Sequence, residues 1–169
     1  MSSTPPALAP TPFVLPARLI GRSHIARILR EIEAVDSYMS SQAIRSPEVK
    51  PVVPGISRVL RELLDANQAA LIDQKERQRL LKLLRKVKDA APQVHMTFAI
   101  EPDVIILTDV VKWLRENTHE HALVSVGVQP NIVGGCVVRT PDKVYDLSFQ
   151  KHFSGLQSTL RDALVKVAA

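Results

Sequence analysis

Several groups of side chains in this 169-residue chain are of types that can do chemistry, and each group implies a different reaction or ligand. His119 and His121 flank Glu120, a combination that suggests a metal ion. Helical metal pairs usually stand four apart so that both rings leave one face, whereas a two-apart pair needs a strand and further ligands. His95 and His152 fall in other elements, so a solvated loop is the better reading. Cys136 lies inside the apolar run Gly-Cys-Val-Val-Arg. A nucleophilic cysteine wants a helix N-terminus or a basic neighbour, together with a histidine base. In mid-strand it reads as a small buried hydrophobe.

Gly134-Gly135 could cradle a phosphate, but phosphate loops need a longer glycine frame that opens a helix. Here the pair leads into a strand, which predicts a bulge or a close backbone approach by a neighbour. Lys75, Arg77, Arg79, Lys82, Arg85, Lys86 and Lys88 crowd one helix. They could meet a nucleic-acid backbone with salt-sensitive affinity. No interleaved aromatic residues or nucleic-acid fold signature accompany them, so a solvated face or an acidic protein partner fits better. Among the carboxylates near the sheet, Glu101, Asp142 and Asp146, the last precedes Ser148 by two residues. That spacing predicts capping of a final helix by carboxylate and hydroxyl rather than acid–base work. No catalytic, cofactor or metal site is expected from these sets.

The elements that must position these residues follow from periodicity. Residues 1–16 hold five of the twelve prolines and predict an extended, flexible tail with little to bury. Residues 17–92 read as helical. Ser23 is the expected N-cap of a helix with Ile25, Ile28, Leu29, Ile32, Val35 and Met39 on one face. Pro47, Pro51 and Pro54 mark a linker over 45–54. A second helix is expected over 56–66, carrying Ile56, Val59, Leu60, Leu63 and Leu64, with Asn67 as its left-handed end. Asp73 and Glu76 form the signature of a capping box for a third helix, whose apolar side is Leu80, Leu81, Leu83, Leu84 and Val87.

Residues 93–169 change character. Val94–Ile100, Leu123–Val128, Val133–Thr140 and Val144–Asp146 predict four strands. A helix is expected to start at Pro102 and to end near Asn117, and Thr140-Pro141-Asp142-Lys143 is a turn signal. A last helix carries Phe149, Phe153, Leu156, Leu160, Leu164 and Val167 at spacings of three and four. The expected fold is α+β: N-terminal helices, then a small C-terminal lobe with a mixed sheet of about four strands and two helices.

Composition narrows the function classes. Lys+Arg exceed Asp+Glu by 22 to 17, a net +5 that is too modest to argue for nucleic acid by itself. One cysteine excludes an internal disulfide and points to reducing surroundings. No run approaches the length of a membrane span, and the N-terminus lacks the features of a signal or targeting segment, which favours a bacterial source.

The run from Gly134 through Thr140-Pro141-Asp142-Lys143 to Asp146-Leu147-Ser148, followed by Leu156, resembles the C-terminal signature of the F-type ATP synthase delta subunit family. Its mitochondrial counterpart is the oligomycin-sensitivity-conferring protein. That signature has a Gly-Gly pair, an apolar strand with a basic residue, a turn, and Asp-x-Ser opening a leucine-periodic helix. The likeness extends loosely from Ile56 to the end. Leu147 stands where the family often has glycine, Cys136 replaces a larger apolar residue, and Thr140-Pro141 replaces the usual turn residues. The family's N-terminal bundle is represented by the Ser23 helix and the Pro-rich tail, a shortened and divergent version.

The resemblance implies a non-catalytic stator subunit linking the catalytic head to the membrane-anchored b subunits, peripheral to the cytoplasmic face of a bacterial membrane. It implies partners in the b subunits and the head's alpha subunits, no cofactor, and no nucleic acid. Gly134, Gly135, Arg139, Asp142, Asp146 and Ser148 become structural motif residues. Ile25, Leu29 and Ile32 of the first helix, and Phe153, Leu156 and Leu160 of the last, become candidate docking residues. A small RNA- or DNA-binding module using the Lys75–Lys88 helix is the alternative, and an enzyme with a site of unconnected residues is a third.

Overall fold

A computed structural model describes residues 13–45, 48, 52–132 and 134–149. Among them lie helices α1 (Arg22–Arg45), α2 (Arg58–Asn67), α3 (Gln74–Ala90) and α4 (Val104–Asn117). The strands are β1 (Gln93–Phe98), β2 (Leu123–Val128), β3 (Gly135–Arg139) and β4 (Val144–Ser148). The fold is α+β, and the chain divides into two units. Among the described residues, one takes 13–19 and Ser23–Ala90, the other Ile20–Arg22 and everything from Ala91.

In the helical unit, α1 buries all six residues of its apolar stripe, Ile25, Ile28, Leu29, Ile32, Val35 and Met39. Its first residue is Arg22, so Ser23 lies inside the first turn and is not the N-cap expected for it. α2 is capped by Ser57, whose Oγ accepts the Leu60 amide at 3.2 Å. The Ser57 amide and hydroxyl both donate to the Glu31 carboxylate, which ties the start of α2 to α1. The left-handed residue after α2 is Gln68, with φ 51°, and not Asn67.

Asn67 has another task. Its Oδ1 accepts the Val14 amide at 2.8 Å and its Nδ2 donates to the Val14 carbonyl at 2.8 Å, as a neighbouring strand would. Leu15, next along, is buried. Residues 13–16 are therefore held on the helices, where the sequence predicted a tail with little to bury; residues 1–12 lie outside the described ones.

α3 begins with one arm of the expected capping box. Asp73 Oδ1 accepts the Lys75 amide at 2.8 Å. The reciprocal arm is not made, because the Asp73 amide donates to the Ala70 carbonyl and Glu76 pairs with Arg79. Leu80, Leu81, Leu84 and Val87 are buried, and Leu83 is half-buried.

The second unit is built on a sheet of order β2-β1-β3-β4. β1 and β2 are parallel, joined through α4, whereas β3 is antiparallel to both β1 and β4. The pairings Val94↔Val124, Met96↔Val126, Met96↔Val138 and Val138↔Tyr145 place one alternating set on a single face. That face is apolar in all four strands. Leu107, Val111 and Leu114 of α4, with Ile20 and Ala122, form a buried cluster with Val94, Met96 and Val124. Phe98, Cys136 and Val138 are half-covered, whereas Tyr145 and Leu147 on β4 are 48% and 60% exposed. One helix over β1 and β2 cannot also cover β3 and β4.

Small corrections follow in this unit. α4 starts at Val104 and not at Pro102, with Asp103 as its cap, the Asp103 Oδ1 accepting the Ile105 amide at 2.8 Å. A carboxylate that bonds a free helical amide outcompetes a residue whose only merit is a missing donor. β1 spans Gln93–Phe98 where the sequence predicts 94–100, and β4 runs two residues past Asp146. Phe149 is helical, and the rest of the expected last helix lies outside the described residues.

Candidate partner-docking surfaces

The Gly134–Ser148 stretch folds as a strand, turn and strand. Thr140 and Lys143 close the turn, with the Thr140 amide donating to the Lys143 carbonyl at 2.9 Å and the Lys143 amide to Thr140 Oγ1 at 3.1 Å. Asp142 and Arg139 are exposed. At the other end the chain needs glycine. Gly135 has φ +81° and a Cβ there would collide with the Leu147 carbonyl oxygen, so the Gly pair marks the close backbone approach the sequence predicts. The Phe149 amide donates to the Gly134 carbonyl at 3.0 Å and extends the pairing past β4. Asp146 Oδ1 accepts the amide of Ser148 at 2.9 Å, and Ser148 is buried. The carboxylate thus satisfies the amide of Ser148 itself; any amide that the Ser148 hydroxyl could cap lies outside the described residues.

The other candidate chemistries also find places. The His121 backbone amide donates to His119 Nδ1 at 3.1 Å, and His121 faces Glu120 at 3.3 Å, so the histidines arrange their own loop. Their ring centroids are 6.0 Å apart, and among the described residues no three potential metal ligands come together. His95 is exposed on β1, and His152 lies outside the described residues. Cys136 is half-buried in β3, and that burial pushes its thiol above the ordinary range, away from the nucleophilic thiolate.

The basic helix loses much of its apparent charge once α3 is folded. Arg77 is only 4% exposed; its Nε meets Asp36 of α1 at 2.6 Å and its Nη1 donates to the carbonyls of Leu71 and Ile72. Arg85 pairs with Glu33 at 2.7 Å, and Arg79 with Glu76 at 3.5 Å. Of the cations on this helix, only lysines are left unpaired among the described residues, which weakens the case for a phosphate-binding face. One more cation escaped the sequence reading: Arg115 is half-buried, donates to the Ala122 carbonyl at 3.2 Å, and is pushed down to about 10 by burial.

Of the candidate docking residues, Ile25, Leu29 and Ile32 are buried at 0%, 6% and 0% exposure. They are core residues and present no outward face, because α1 is flanked by α2 and α3 through the Glu31, Glu33 and Asp36 contacts. Phe153, Leu156 and Leu160 lie outside the described residues. The exposed apolar surface that the sequence reading missed is on α4, where Ile105, Ile106 and Trp113 are 70%, 54% and 60% exposed. Its signal was present in Val104-Ile105-Ile106, an apolar run wider than one buried stripe.

Among known proteins, the model of one family, the ATP synthase delta (OSCP) subunit, matches residues 23–160. No curated protein matches the chain. The matched region begins in α1 and takes in both units, so α1 lies within the family's span and not only the part from Ile56 onward.

Proposed function

The chain belongs to the ATP synthase delta (OSCP) subunit family, whose members are non-catalytic subunits of the peripheral stalk, and we propose that it ties the catalytic head to the membrane-anchored b subunits. The match over residues 23–160, spanning both units, carries this reading. Rotor torque turns the head unless the stator resists it, so such a subunit works by transmitting force between two binding surfaces. The proposed division gives the alpha subunits to the helical unit and the b subunits to the C-terminal lobe. Phe153, Leu156 and Leu160 belong to the lobe's proposed contact, and the motif from Gly134 to Ser148 supports it.

No described helix is long and apolar enough to cross a membrane. Attachment to the membrane through partners, at the cytoplasmic face of a bacterial cell, completes the proposal. The test is affinity purification of the tagged chain from gently solubilised membranes, followed by reconstitution of depleted vesicles. Recovery of b and alpha subunits is expected, together with ATP-driven proton pumping that fails without the chain while ATP hydrolysis continues. Absence of the chain from the complex, or pumping that does not depend on it, overturns the reading.

A further inference from the structure

The positive charge of the chain is unevenly placed. Residues 1–90 hold 15 Lys and Arg against 9 Asp and Glu, whereas residues 91–169 hold 7 against 8, so the whole surplus of +5 comes from the first half. Within it, α3 turns Lys75, Arg79, Lys82 and Lys86 to solvent at spacings of four, three and four, one row about 16 Å long. Asp89, one turn beyond Lys86, is the first acid on that line. Arg79 meets Glu76 at 3.5 Å, and the three lysines are unpaired among the described residues. Glu33 and Asp36 of α1 do not neutralise the row, because they pair with Arg85 and Arg77 on the flank and the buried side of α3. Like charges at these spacings repel and weaken a helix. The core does not need them, since the row lies opposite the buried Leu80, Leu81, Leu84 and Val87. An apolar notch adjoins it, lined by Phe13, Ala69, Leu80 and Leu83 together with Glu76 and Arg79. Leu83 follows Arg79 by four residues and stands beside the row on the notch side. This face of α3 therefore sets a cationic row next to an apolar socket.

We propose that this face docks an amphipathic helix of an acidic partner protein. Its Asp or Glu residues, spaced four and three apart, lie opposite Lys75, Arg79, Lys82 and Lys86, and one apolar side chain sits between Phe13 and Leu83. The face belongs to the helical unit alone, so its use does not depend on the peripheral-stalk reading. A helix is the right occupant because its side chains recur at the row's own spacing over the whole length of the row. Carboxylates suit the row better than phosphates. Lysine is a point charge on a flexible stem, whereas the planar forks of Arg77, Arg85 and Arg79 are already turned to Asp36, Glu33 and Glu76. The lysines steer and select the partner, and the notch supplies the desolvated anchor.

The test uses the full-length chain and three synthetic helical peptides in titration calorimetry. The first carries Glu at spacings of four and three beside a line of leucines. The second has Gln in place of those Glu, and the third keeps the composition of the first with its Glu spread round the helix. The first is expected to bind about ten-fold tighter than either of the others, with an affinity that falls as salt rises. Lys82→Glu with Lys86→Glu is expected to lose about ten-fold in affinity for the first peptide and to gain affinity for a version with Lys in place of Glu. That variant should melt no lower than the unaltered chain, because it relieves repulsion along α3. Leu83→Ala is expected to bind the first peptide several-fold more weakly. Equal binding of the first and third peptides overturns the row, as does a double variant that binds the first within about two-fold of the unaltered chain. Tighter binding of a double-stranded oligonucleotide or of phosphatidylglycerol vesicles makes phosphate the ligand and sinks the acidic helix. Self-association in sedimentation that the double variant abolishes makes a second copy the occupant, and sinks it too.

Discussion

α1 and α4 are both amphipathic, but α1 buries all six apolar residues of its stripe, whereas α4 buries Leu107, Val111 and Leu114 and leaves Ile105, Ile106 and Trp113 exposed. The difference lies in what surrounds each helix. α1 is held by α2 through Glu31 and Ser57 and by α3 through Asp36 with Arg77 and Glu33 with Arg85. α4 lies on one face of a sheet and has no described helix beside it, so half of a wide apolar arc stays open. A periodic stripe shows that a helix needs a partner, and it does not show whether that partner is in the same chain.

The contrast can be broken most strongly at Arg77. Arg77→Ala leaves Asp36 and the Leu71 and Ile72 carbonyls without their donor in a mostly buried place, and is expected to cost about 3 kcal/mol in urea unfolding. If the loss is below about 1 kcal/mol, the charge contacts do not fix α3 to α1 in the way described. Core truncation sharpens the same contrast. Ile32→Ala in α1 is expected to destabilise by about 3 kcal/mol, whereas Trp113→Ala in α4 stays within about 0.5 kcal/mol of the unaltered chain. Equal losses at the two positions would show that Trp113 is packed at home.

In the sheet unit, Gly135→Ala puts a Cβ against the Leu147 carbonyl at a backbone angle that favours glycine, and is expected to cost about 2 kcal/mol. Hydrogen exchange should then quicken along β4 more than along β1.

The smallest effect concerns His24 at the start of α1, whose Nδ1 is buried with no hydrogen-bond partner among the described residues. Burial, helped by Arg27, holds its pKa below the ordinary 6.5. The unfolded chain therefore takes up the proton first as pH falls below about 6.5, and stability declines from there towards the lower folded value. His24→Gln is expected to flatten the stability profile between pH 8 and 5.5, and an unchanged slope would assign it to another group.

Much of this architecture was legible from residue spacing, because helix and strand periods are local. The α1 stripe was read residue for residue, β2 matched at both ends, and α4 ended at Asn117 as expected. The errors cluster at ends, where competing polar groups are decided by neighbours remote in sequence. Ser57, not Ile56, opens α2 with help from Glu31, and Asn67 is drawn from helix-ending duty to the backbone of Val14, fifty-three residues away. Gly21 is a second case: a Cβ there would stand 2.5 Å from the Val124 carbonyl oxygen, and no local pattern announces it.

The sequence by itself determined the α+β order, the apolar faces, the close backbone approach at the glycine pair that opens β3 and the kinship that residues 134–148 suggest, since each depends on neighbours along the chain. Only the tertiary structure decided which apolar faces are core and which are surface. It sealed Ile25, Leu29 and Ile32 inside the helical unit, turned Arg77 from a surface cation into a buried tie, and left Ile106 and Trp113 facing outward. Burial depends on what lies opposite a side chain, and only folding brings those neighbours together.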